Sequence, residues 1–308
     1  MNVLFDNVNF ESSSGPNQFG RKLAKSIVTL GHNVTDTSDH ADVQLSFISI
    51  TRKMLPTVLR LDGIYFNTVQ DWERLNEPIQ RSYELAEAVV TQSRFNAKLI
   101  EKYFGIHKNM CTIPNGTDMT LINNIPKLSH PEFRGYSDIW CCASSWRSHK
   151  RLKDNVRYFL ENANSDTCLI VAGNNPDYTI DHERVYYAGN LDWKTLISLY
   201  KASSIFIHLA WLDHCPNVVV DARASGCKIV CSSTGGTKEI AGTDAIIIEE
   251  EEWDYEPTML YEPPELDFNR VNKMGCDSNL DIILCTNKYL GVLESLQKPV
   301  QDFKVFKR

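Results

Sequence analysis

The chain has 308 residues, of which 43% are hydrophobic and 23% are charged, and its formal net charge is -7. This length allows two domains with buried cores, and the composition excludes a disordered tail protein, a collagen and a coiled coil. The negative charge argues against general nucleic-acid binding, because that binding depends on neutralising phosphates with basic residues.

Short apolar segments alternate with amphipathic segments along most of the chain. The predicted strands are residues 3–5, 43–50, 58–61, 88–91, 139–143, 169–172, 205–209, 228–231 and 245–248. The predicted helices are residues 18–30, 71–86, 95–104, 152–161, 193–202, 217–224 and 280–296. Strands that are apolar throughout and separated by helices indicate parallel sheets covered on both faces. The sequence therefore predicts an α/β protein.

A segment without apolar periodicity, residues 123–136, divides the chain into two halves. We predict two Rossmann-like, doubly wound domains that face each other across a cleft, the first over residues 1–125 and the second over 126–280. Residues 281–308 are predicted to form a C-terminal helix and tail that pack back on the first domain. Sheets of this kind bind ligands at the carboxyl ends of their strands, so the cleft is the expected site. The acidic run 249–252 is predicted to be a solvated loop.

The cysteine pattern and the length of the apolar runs indicate the cellular location. Nine cysteines include no Cys-x-x-Cys pair, and most stand among apolar residues, which favours a reducing compartment. No spacing fits a zinc site, and no apolar run is long enough to cross a bilayer. We therefore expect a soluble cytoplasmic protein without a metal. The basic end, residues 303–308, is compatible with peripheral contact with an anionic membrane but is too short to anchor the chain alone.

The most informative motif runs from Trp211 to Gly226. A predicted strand ends just before it, and Pro216 suits the first turn of the following helix. The N-terminus of that helix would point free N–H groups and a partial positive charge into the cleft. Asp213 precedes the helix and Asp221 lies within it, so one carboxylate could accept hydroxyl hydrogen bonds from a sugar and the other from a ribose. Alternatively, Asp213 only caps the helix and Asp221 is a surface charge.

A glycine pair follows the next predicted strand. Gly235 and Gly236 stand between that strand and a helix start at Thr237. Glycines at such a turn allow backbone to approach a phosphate closely. The alternative is an ordinary turn between a strand and a helix.

A cationic loop follows the first strand of the second domain. Arg147, Lys150, Arg151 and Lys153 stand within seven positions. In a cleft, such a loop would bind a diphosphate, since arginine offers a fork of donors and lysine a point charge. The alternative is a basic helix start on the surface.

In combination, these motifs resemble the C-terminal half of the family-4 glycosyltransferases, which have the GT-B fold. That family has two acidic residues eight positions apart, a glycine, a strand and Gly-Gly-x-x-Glu, matched here from Asp213 to Glu239. Most members have glutamate at both acidic positions, and a subgroup with Asp-x-Cys-Pro-Asn is more similar. The segments at 13–20, 60–65, 93–95 and 113–118 resemble loops of the family's first domain.

The resemblance implies a retaining, metal-independent glycosyltransferase, hexosyl or pentosyl, with a UDP- or GDP-linked sugar as co-substrate and no other cofactor. The acceptor would be a glycan, a lipid-linked or another hydroxyl compound. The catalytic residues would be Asp213, Arg147 and Lys150. The donor would be bound by Gly15, Gly173, Arg151, His214, Cys215, Pro216, Asn217, Asp221, Gly235 and Gly236. Asp62 and Tyr65 would face the acceptor. Which of the four cations at 147–153 holds the diphosphate stays open.

Other functions of the same fold also stay open. A nucleotide-sugar epimerase and a glycosyltransferase acting on a hydroxymethylated DNA base would share the fold, although the sequence shows no carboxylate arrangement of an epimerase. A nucleotide-sugar-binding protein without catalysis is a third alternative, which the intact acidic and basic motifs disfavour. The DNA enzyme would need a basic face beyond residues 147–153, which the net charge disfavours. The sequence predicts no oligomeric state.

Overall fold

The computed structural model describes residues 1–12, 14–272 and 275–297. It confirms the predicted fold class, since two Rossmann-like α/β domains face each other and a helix closes the chain. The predicted tail, residues 298–308, lies outside the described residues, as does its basic end. Within the described residues, no helix has the length and apolarity to cross a bilayer.

The first domain is built on a six-stranded parallel sheet in the order β2-β1-β3-β4-β5-β6. Its strands are β1 (Asn2–Asp6), β2 (Asn33–Thr35), β3 (Val43–Phe47), β4 (Thr57–Leu61), β5 (Ala88–Thr91) and β6 (Met110–Thr112). Its helices are α1 (Gly15–Thr29), α2 (Trp72–Leu85), α3 (Arg94–Phe104) and α4 (Met119–Asn124). Every residue of β3, β4 and β5 is buried, as expected for central strands of a parallel sheet covered by helices.

The second domain is built on a seven-stranded sheet in the order β13-β12-β11-β10-β7-β8-β9, in which β13 pairs antiparallel to β12. Its strands are β7 (Asp138–Ala143), β8 (Thr167–Ala172), β9 (Val185–Gly189), β10 (Ile205–His208), β11 (Lys228–Ser232), β12 (Ile246–Ile248) and β13 (Val271–Asn272). Its main helices are α5 (Leu152–Asn162), α6 (Trp193–Ala202) and α7 (Asn217–Ala224).

The last helix, α8 (Ile282–Gln297), lies against the first domain although it follows the second in sequence. Tyr289 and Leu293 are fully buried in the same apolar cluster as Phe19 and Val43. Burying one such side chain contributes about 1.5–3 kcal/mol, so this contact attaches the end of the described chain firmly to the first sheet.

Most differences from the predicted elements concern short edge strands. The sequence did not predict β2, β6, β9 or β13, which have two to five residues each. It also extended β3 to residue 50, whereas the strand ends at Phe47. The next residue, Ile48, has a φ of 67°, a left-handed conformation that turns the chain out of the strand direction.

Candidate active site

A cavity of about 790 Å³ lies between the domains at the carboxyl ends of both sheets. Ten of the predicted site residues line it, namely Gly15, Asp62, Arg147, Lys150, Gly173, Asp213, His214, Cys215, Pro216 and Asn217. The other five do not, namely Tyr65, Arg151, Asp221, Gly235 and Gly236. Ten of the 29 residues that line the cavity are thus predicted site residues, and the remaining five predicted residues have other surroundings.

A lysine, an aspartate and a histidine meet at the base of the cavity. Lys150 Nζ donates to Asp213 Oδ2 at 2.5 Å, and His208 Nε2 lies 2.9 Å from the same oxygen. His208 is the last residue of β10, and Asp213 follows that strand by five positions. Because a carboxylate only accepts hydrogen bonds, we assign the proton of the histidine to Nε2.

The electrostatics of this group fix its charge state at neutral pH. Burial raises the pKa of Asp213, but the ammonium of Lys150 and the hydrogen bond from His208 outweigh it and hold that pKa well below its usual range. Burial lowers the pKa of His208 in spite of Asp213. Burial also lowers the pKa of His149 to about 3, with a further effect from Lys150, and lowers the pKa of His214 to about 4. The cavity therefore combines a carboxylate and an ammonium with three neutral imidazoles.

Two helices point their N-termini at the cavity from opposite sides. Gly15 begins α1 of the first domain, and Asn217 begins α7 of the second. The amide of Asn217 donates to the carbonyl of Gly15 at 3.0 Å, so the two ends touch. Helix N-termini carry free N–H groups and a partial positive charge. Together they make this part of the cleft favourable for an anion.

Arg147 is the exposed cation of the cavity wall. It lies at the start of the turn that carries Lys150. Its guanidinium makes no hydrogen bond or ion pair within the described part of the chain, whereas Lys150 is paired with Asp213. Arg147 therefore has its full set of donors free for a ligand.

On the first-domain side, Asp62 is paired with a buried arginine. Arg60 is 1% exposed, and it donates from one amino group to Asp62 and from the other to Asn115 at 2.8 Å. The guanidinium also lies 4.3 Å from the ring centre of Phe19. Asp62 Oδ2 is buried and has no hydrogen-bond partner among the described residues. Arg60 thus fixes one carboxylate oxygen, and the other is buried without a partner beside the cavity wall.

Gly235 and Gly236 pack against the backbone of the loop that carries Asp213 and His214. A Cβ on Gly236 would lie 1.9 Å from the carbonyl oxygen of His214, and one on Gly235 would lie 2.7 Å from that of Asp213. The N–H of Gly236 donates to the carbonyl of Asp213 at 2.7 Å. In this structure the glycines make room for the loop that carries Asp213 and His214, which is a different role from direct contact with a phosphate.

Gly173 has a similar steric role at the end of β8. Its φ is +112°, and a Cβ there would lie 1.8 Å from the carbonyl oxygen of Ser144. The glycine therefore lets the ends of β7 and β8 approach closely beneath the cavity.

Arg151 is removed from the cavity by its own ion pair. Its guanidinium donates to Glu250 at 2.6 Å and to the carbonyl of Pro264 at 2.8 Å. The two side chains are 1% and 5% exposed. Of the four cations at 147–153, Arg147 and Lys150 line the cavity, and Arg151 and Lys153 do not. The acidic run 249–252 is also less solvated than predicted, because the side chain of Glu250 is only 5% exposed although Glu251 is exposed.

Arg151 thereby holds both ends of a loop, residues 250–264, that we call the strap. The strap leaves the second domain and reaches the first, where Thr258 forms a parallel β-bridge with Asn67. The ring centre of Trp253 lies 4.8 Å from that of Phe66. Compact loops with close ends are frequently functional, and this one joins the two domains beside the cleft.

Asp221 lies directly behind the cavity wall and is 4% exposed. Its carboxylate is held by Lys22 of the first domain at 2.8 Å and by the indole N–H of Trp193 at 2.9 Å. Trp193 itself lines the cavity. The alternative that Asp221 is a surface charge is therefore wrong.

Tyr65 is 41% exposed and its backbone is fixed by Asn76. It is outside the cavity wall, one residue before Phe66, whose ring centre lies 6.3 Å from that of His214. Its predicted contact with an acceptor stays a prediction.

Several site residues were not predicted from the sequence. His208 appeared as the end of an apolar strand, Trp193 as a helix start and Lys22 as one cation of an amphipathic helix. A charged or aromatic residue at a strand end or a first helical turn is a weak signal by itself. His208 contacts an aspartate 5 positions away, whereas Trp193 and Lys22 contact one that lies 28 and 199 positions away in sequence. Sequence spacing gives no evidence of contacts between residues so far apart in the chain.

All nine cysteines lie in the described part of the chain and are unpaired there. Among the described residues, no three His, Cys, Asp or Glu side chains form a group that could hold a metal ion.

Comparison with known proteins agrees with this architecture. Residues 138–256 match the sequence model of the family described as glycosyl transferases group 1. The matched segment runs from β7 into the strap and includes Arg147, Lys150, Asp213 and Asp221. No curated protein sequence matches the chain significantly.

Solved structures match over nearly the whole chain. Anabaena Alr3699/HepE in complex with UDP has a TM-score of 0.67 at 14% identity, covering 96% of this chain and 100% of that chain. Its complex with UDP-glucose has a TM-score of 0.64 at 15% identity, with the same coverage. Sucrose-phosphate synthase from Thermosynechococcus elongatus has a TM-score of 0.60 at 11% identity, covering 97% of this chain and 92% of that chain. At such identities the similarity shows the fold, which is GT-B.

Proposed function

We propose that the protein is a retaining glycosyltransferase that moves a sugar from a UDP- or GDP-linked donor to a hydroxyl acceptor. The observation that carries this proposal is the group of Lys150, Asp213 and His208 in an interdomain cavity that two helix N-termini face. Further support comes from the family match of residues 138–256 and from the UDP and UDP-glucose bound by Anabaena Alr3699/HepE.

The donor diphosphate would lie against the second domain. Arg147 has free donors, and the N-terminus of α7 adds backbone N–H groups. Lys150 would turn part of its hydrogen bonding from Asp213 to a phosphate oxygen. Charge-assisted hydrogen bonds of this kind are the strong ones. Because these groups are fixed before the reaction, they would stabilise the negative charge that develops on the leaving diphosphate.

The transferring sugar would lie over Asp213. In the reaction, the bond between the anomeric carbon and the diphosphate oxygen breaks, and a bond from the acceptor oxygen to that carbon forms. The acceptor hydroxyl proton passes to the leaving diphosphate. The anomeric carbon becomes positively charged in the transition state, so the carboxylate of Asp213 would stabilise that state more than the ground state. Attack from the face that the diphosphate leaves would retain the configuration.

The acceptor would approach from the first domain. Asp62 lines the cavity wall, and its buried Oδ2 has no partner among the described residues, so a small rotation of the side chain would let this carboxylate accept the hydrogen bond of the attacking hydroxyl. Arg60 keeps that carboxylate in place. Good orientation of this kind lowers the barrier by making the reaction effectively intramolecular. A glycan, a lipid-linked or another hydroxyl compound would satisfy this geometry.

The test has two stages. First, UDP and GDP are titrated calorimetrically in excess EDTA, and we expect one of them to bind without metal because Arg147 and Lys150 supply the positive charge. Second, UDP-glucose is incubated with glycan, lipid-linked and hydroxymethylated-DNA acceptors, and the product anomer is determined by NMR. Binding that disappears in EDTA and returns with manganese would contradict metal independence. Binding without transfer or donor hydrolysis would favour a nucleotide-sugar-binding protein without catalysis.

A further inference from the structure

An ion pair joins the two domains beside the cavity. Lys22 lies on α1 of the first domain, and its Nζ is 2.8 Å from Oδ1 and 3.1 Å from Oδ2 of Asp221 on α7 of the second domain. The side chains are 18% and 6% exposed. Lys22 Nζ also lies 5.7 Å from the ring centre of Trp193, so one ammonium contacts both a carboxylate and an aromatic wall of the cavity.

The carboxylate of Asp221 has one acceptor position left. A carboxylate accepts about four hydrogen bonds. Lys22 donates to both oxygens, and the indole N–H of Trp193 donates to Oδ2. Oδ1 therefore keeps a free lone pair. Trp193, which donates to this carboxylate, and Asn217 and Val218, one turn before Asp221 on α7, all line the cavity. A ligand hydroxyl would have to pass between these residues to reach Oδ1.

Lys22 is needed to keep this carboxylate in its present orientation. A buried carboxylate that loses its cation is left with an uncompensated charge. Trp193 would then be the strongest remaining donor, and a single donor allows the carboxylate to rotate. The fixed direction of Oδ1 thus depends on a residue of the opposite domain.

We propose that Lys22 is a positioning residue of the nucleotide site, which orients Asp221 so that Oδ1 accepts a hydrogen bond from a ribose hydroxyl. The inference rests on the proposed function, because it takes the ligand to be a nucleotide. Since Lys22 and Asp221 belong to different domains, nucleotide affinity depends on how the first domain is placed against the second.

The experiment compares UDP with 2′,3′-dideoxy-UDP, which lacks both ribose hydroxyls. Binding to the full chain is measured calorimetrically for the native protein, Lys22→Met, Lys22→Arg and Lys25→Met. Lys25 lies one turn along the same helix and is exposed, so it is the matched control. Circular dichroism and thermal unfolding show whether each variant is folded.

We expect Lys22→Met to weaken UDP binding by about tenfold or more, the worth of one hydrogen bond to a charged group, and to leave dideoxy-UDP binding within about twofold. Lys22→Arg should retain most of the UDP affinity, and Lys25→Met all of it. An equal loss for both ligands, or no loss for either, would overturn the role of Lys22. If the native protein binds GDP in place of UDP, the same comparison is made with GDP and its 2′,3′-dideoxy analogue; a folded native protein that bound neither nucleotide would instead contradict the proposed function, and this inference would fail with it.

Discussion

Glu239 of the second domain caps a helix of the first domain, which begins at Arg94. Its carboxylate accepts the backbone N–H of Arg94 at 2.8 Å and that of Phe95 at 2.9 Å. The first N–H groups of a helix have no partners inside the helix, and the positive end of its dipole favours a carboxylate. The glutamate of the Gly-Gly-x-x-Glu motif therefore joins the two domains through backbone hydrogen bonds.

Replacing this glutamate should weaken the domain junction. We expect Glu239→Ala to lower the free energy of unfolding by about 1–2 kcal/mol, the usual effect of losing a helix cap, and Glu239→Gln to lower it less because an amide oxygen still accepts. Urea unfolding measures both. Glu251→Ala is the control, since Glu251 is exposed and has no partner in the described structure. Equal stability of the alanine variants at 239 and 251 would show that the cap contributes nothing.

Arg151 and Arg147 should respond to mutation in opposite ways. Arg151→Met removes the buried partner of Glu250 and releases Pro264, so we expect a loss of about 3–5 kcal/mol in unfolding free energy with little change in UDP affinity of the folded protein. Arg147→Met removes an exposed cation of the cavity wall, so UDP affinity should fall while stability is kept. Urea unfolding and calorimetry on both variants make the comparison.

A second substitution separates strap anchoring from ligand binding. The double variant Arg151→Met, Glu250→Gln no longer leaves a carboxylate buried without its cation, and it should recover part of the lost stability. If Arg151→Met weakened UDP binding without destabilising the protein, Arg151 would belong to the diphosphate site after all.

The contrast between these two arginines shows how far the sequence could predict the site. Both stand in the same cationic loop, and nothing in their spacing distinguishes them. The left-handed φ of 53° at Arg151 and the carboxylate of Glu250, 99 positions away, turn its side chain into the second domain. Local pattern thus predicted the loop and its position at a strand end, whereas the choice between cations depends on tertiary contacts.

The fold was more predictable because its signals are local. The buried strands β5 and β7 and the helices α6 and α7 follow from apolar runs and helical periodicity, and their predicted bounds agree within one residue. Short edge strands such as β2 carry no continuous apolar run, because only one side of them packs. Their strand conformation depends on pairing with a neighbour, which the sequence does not show.

Acid should destabilise the protein through its buried cavity histidines. In the folded state the pKa of His149 is about 3 and that of His214 is about 4, both below the unfolded value of about 6.5. Below that value the unfolded state takes up protons that the folded state does not, so stability falls with pH down to the folded pKa. The slope is about 1.4 kcal/mol per pH unit for each group.

The substitution His149→Asn should make this dependence shallower. Urea unfolding of the native protein and the variant between about pH 4.5 and 7 measures the two slopes, and the difference should approach the contribution of one histidine. His40→Asn is the control, because His40 is exposed on the first domain. Parallel curves for the native protein and His149→Asn would contradict the low pKa.

Gly236 should not tolerate a methyl group. In Gly236→Ala the Cβ would lie 1.9 Å from the carbonyl oxygen of His214 and 2.5 Å from Ser93 Oγ, so the loop that carries Asp213 must shift. We expect lower turnover and lower stability. Gly291→Ala is the matched control, because a Cβ there meets nothing within 4 Å and alanine stabilises a helix by about 0.5–1 kcal/mol relative to glycine. Native turnover in Gly236→Ala would mean that the loop adapts.

The two aspartates of the motif should have different kinetic roles. Asp213 lines the cavity beside Lys150, whereas Asp221 lies behind Trp193. If the sugar lies over Asp213, its charge acts mainly in the transition state, and Asp213→Asn should lower kcat by about 100-fold, as the loss of an electrostatic contact does. If Asp221 meets the ribose, Asp221→Asn should mainly raise KM for the donor, by about tenfold.

Steady-state kinetics with UDP-glucose as the varied substrate distinguishes these effects, and circular dichroism is the control for folding. Each asparagine keeps the size of the side chain and one accepting oxygen, so the difference between the variants reports the lost charge at each position. Asp213 precedes α7 and Asp221 lies within it, eight positions later. A general weakening of this helix would therefore change kcat and KM in the same way in both variants. A kcat effect confined to Asp213→Asn would therefore place the reacting carbon at the base of the cavity. Native kcat and KM in both variants would make the acidic pair a structural feature and remove the main support for sugar transfer.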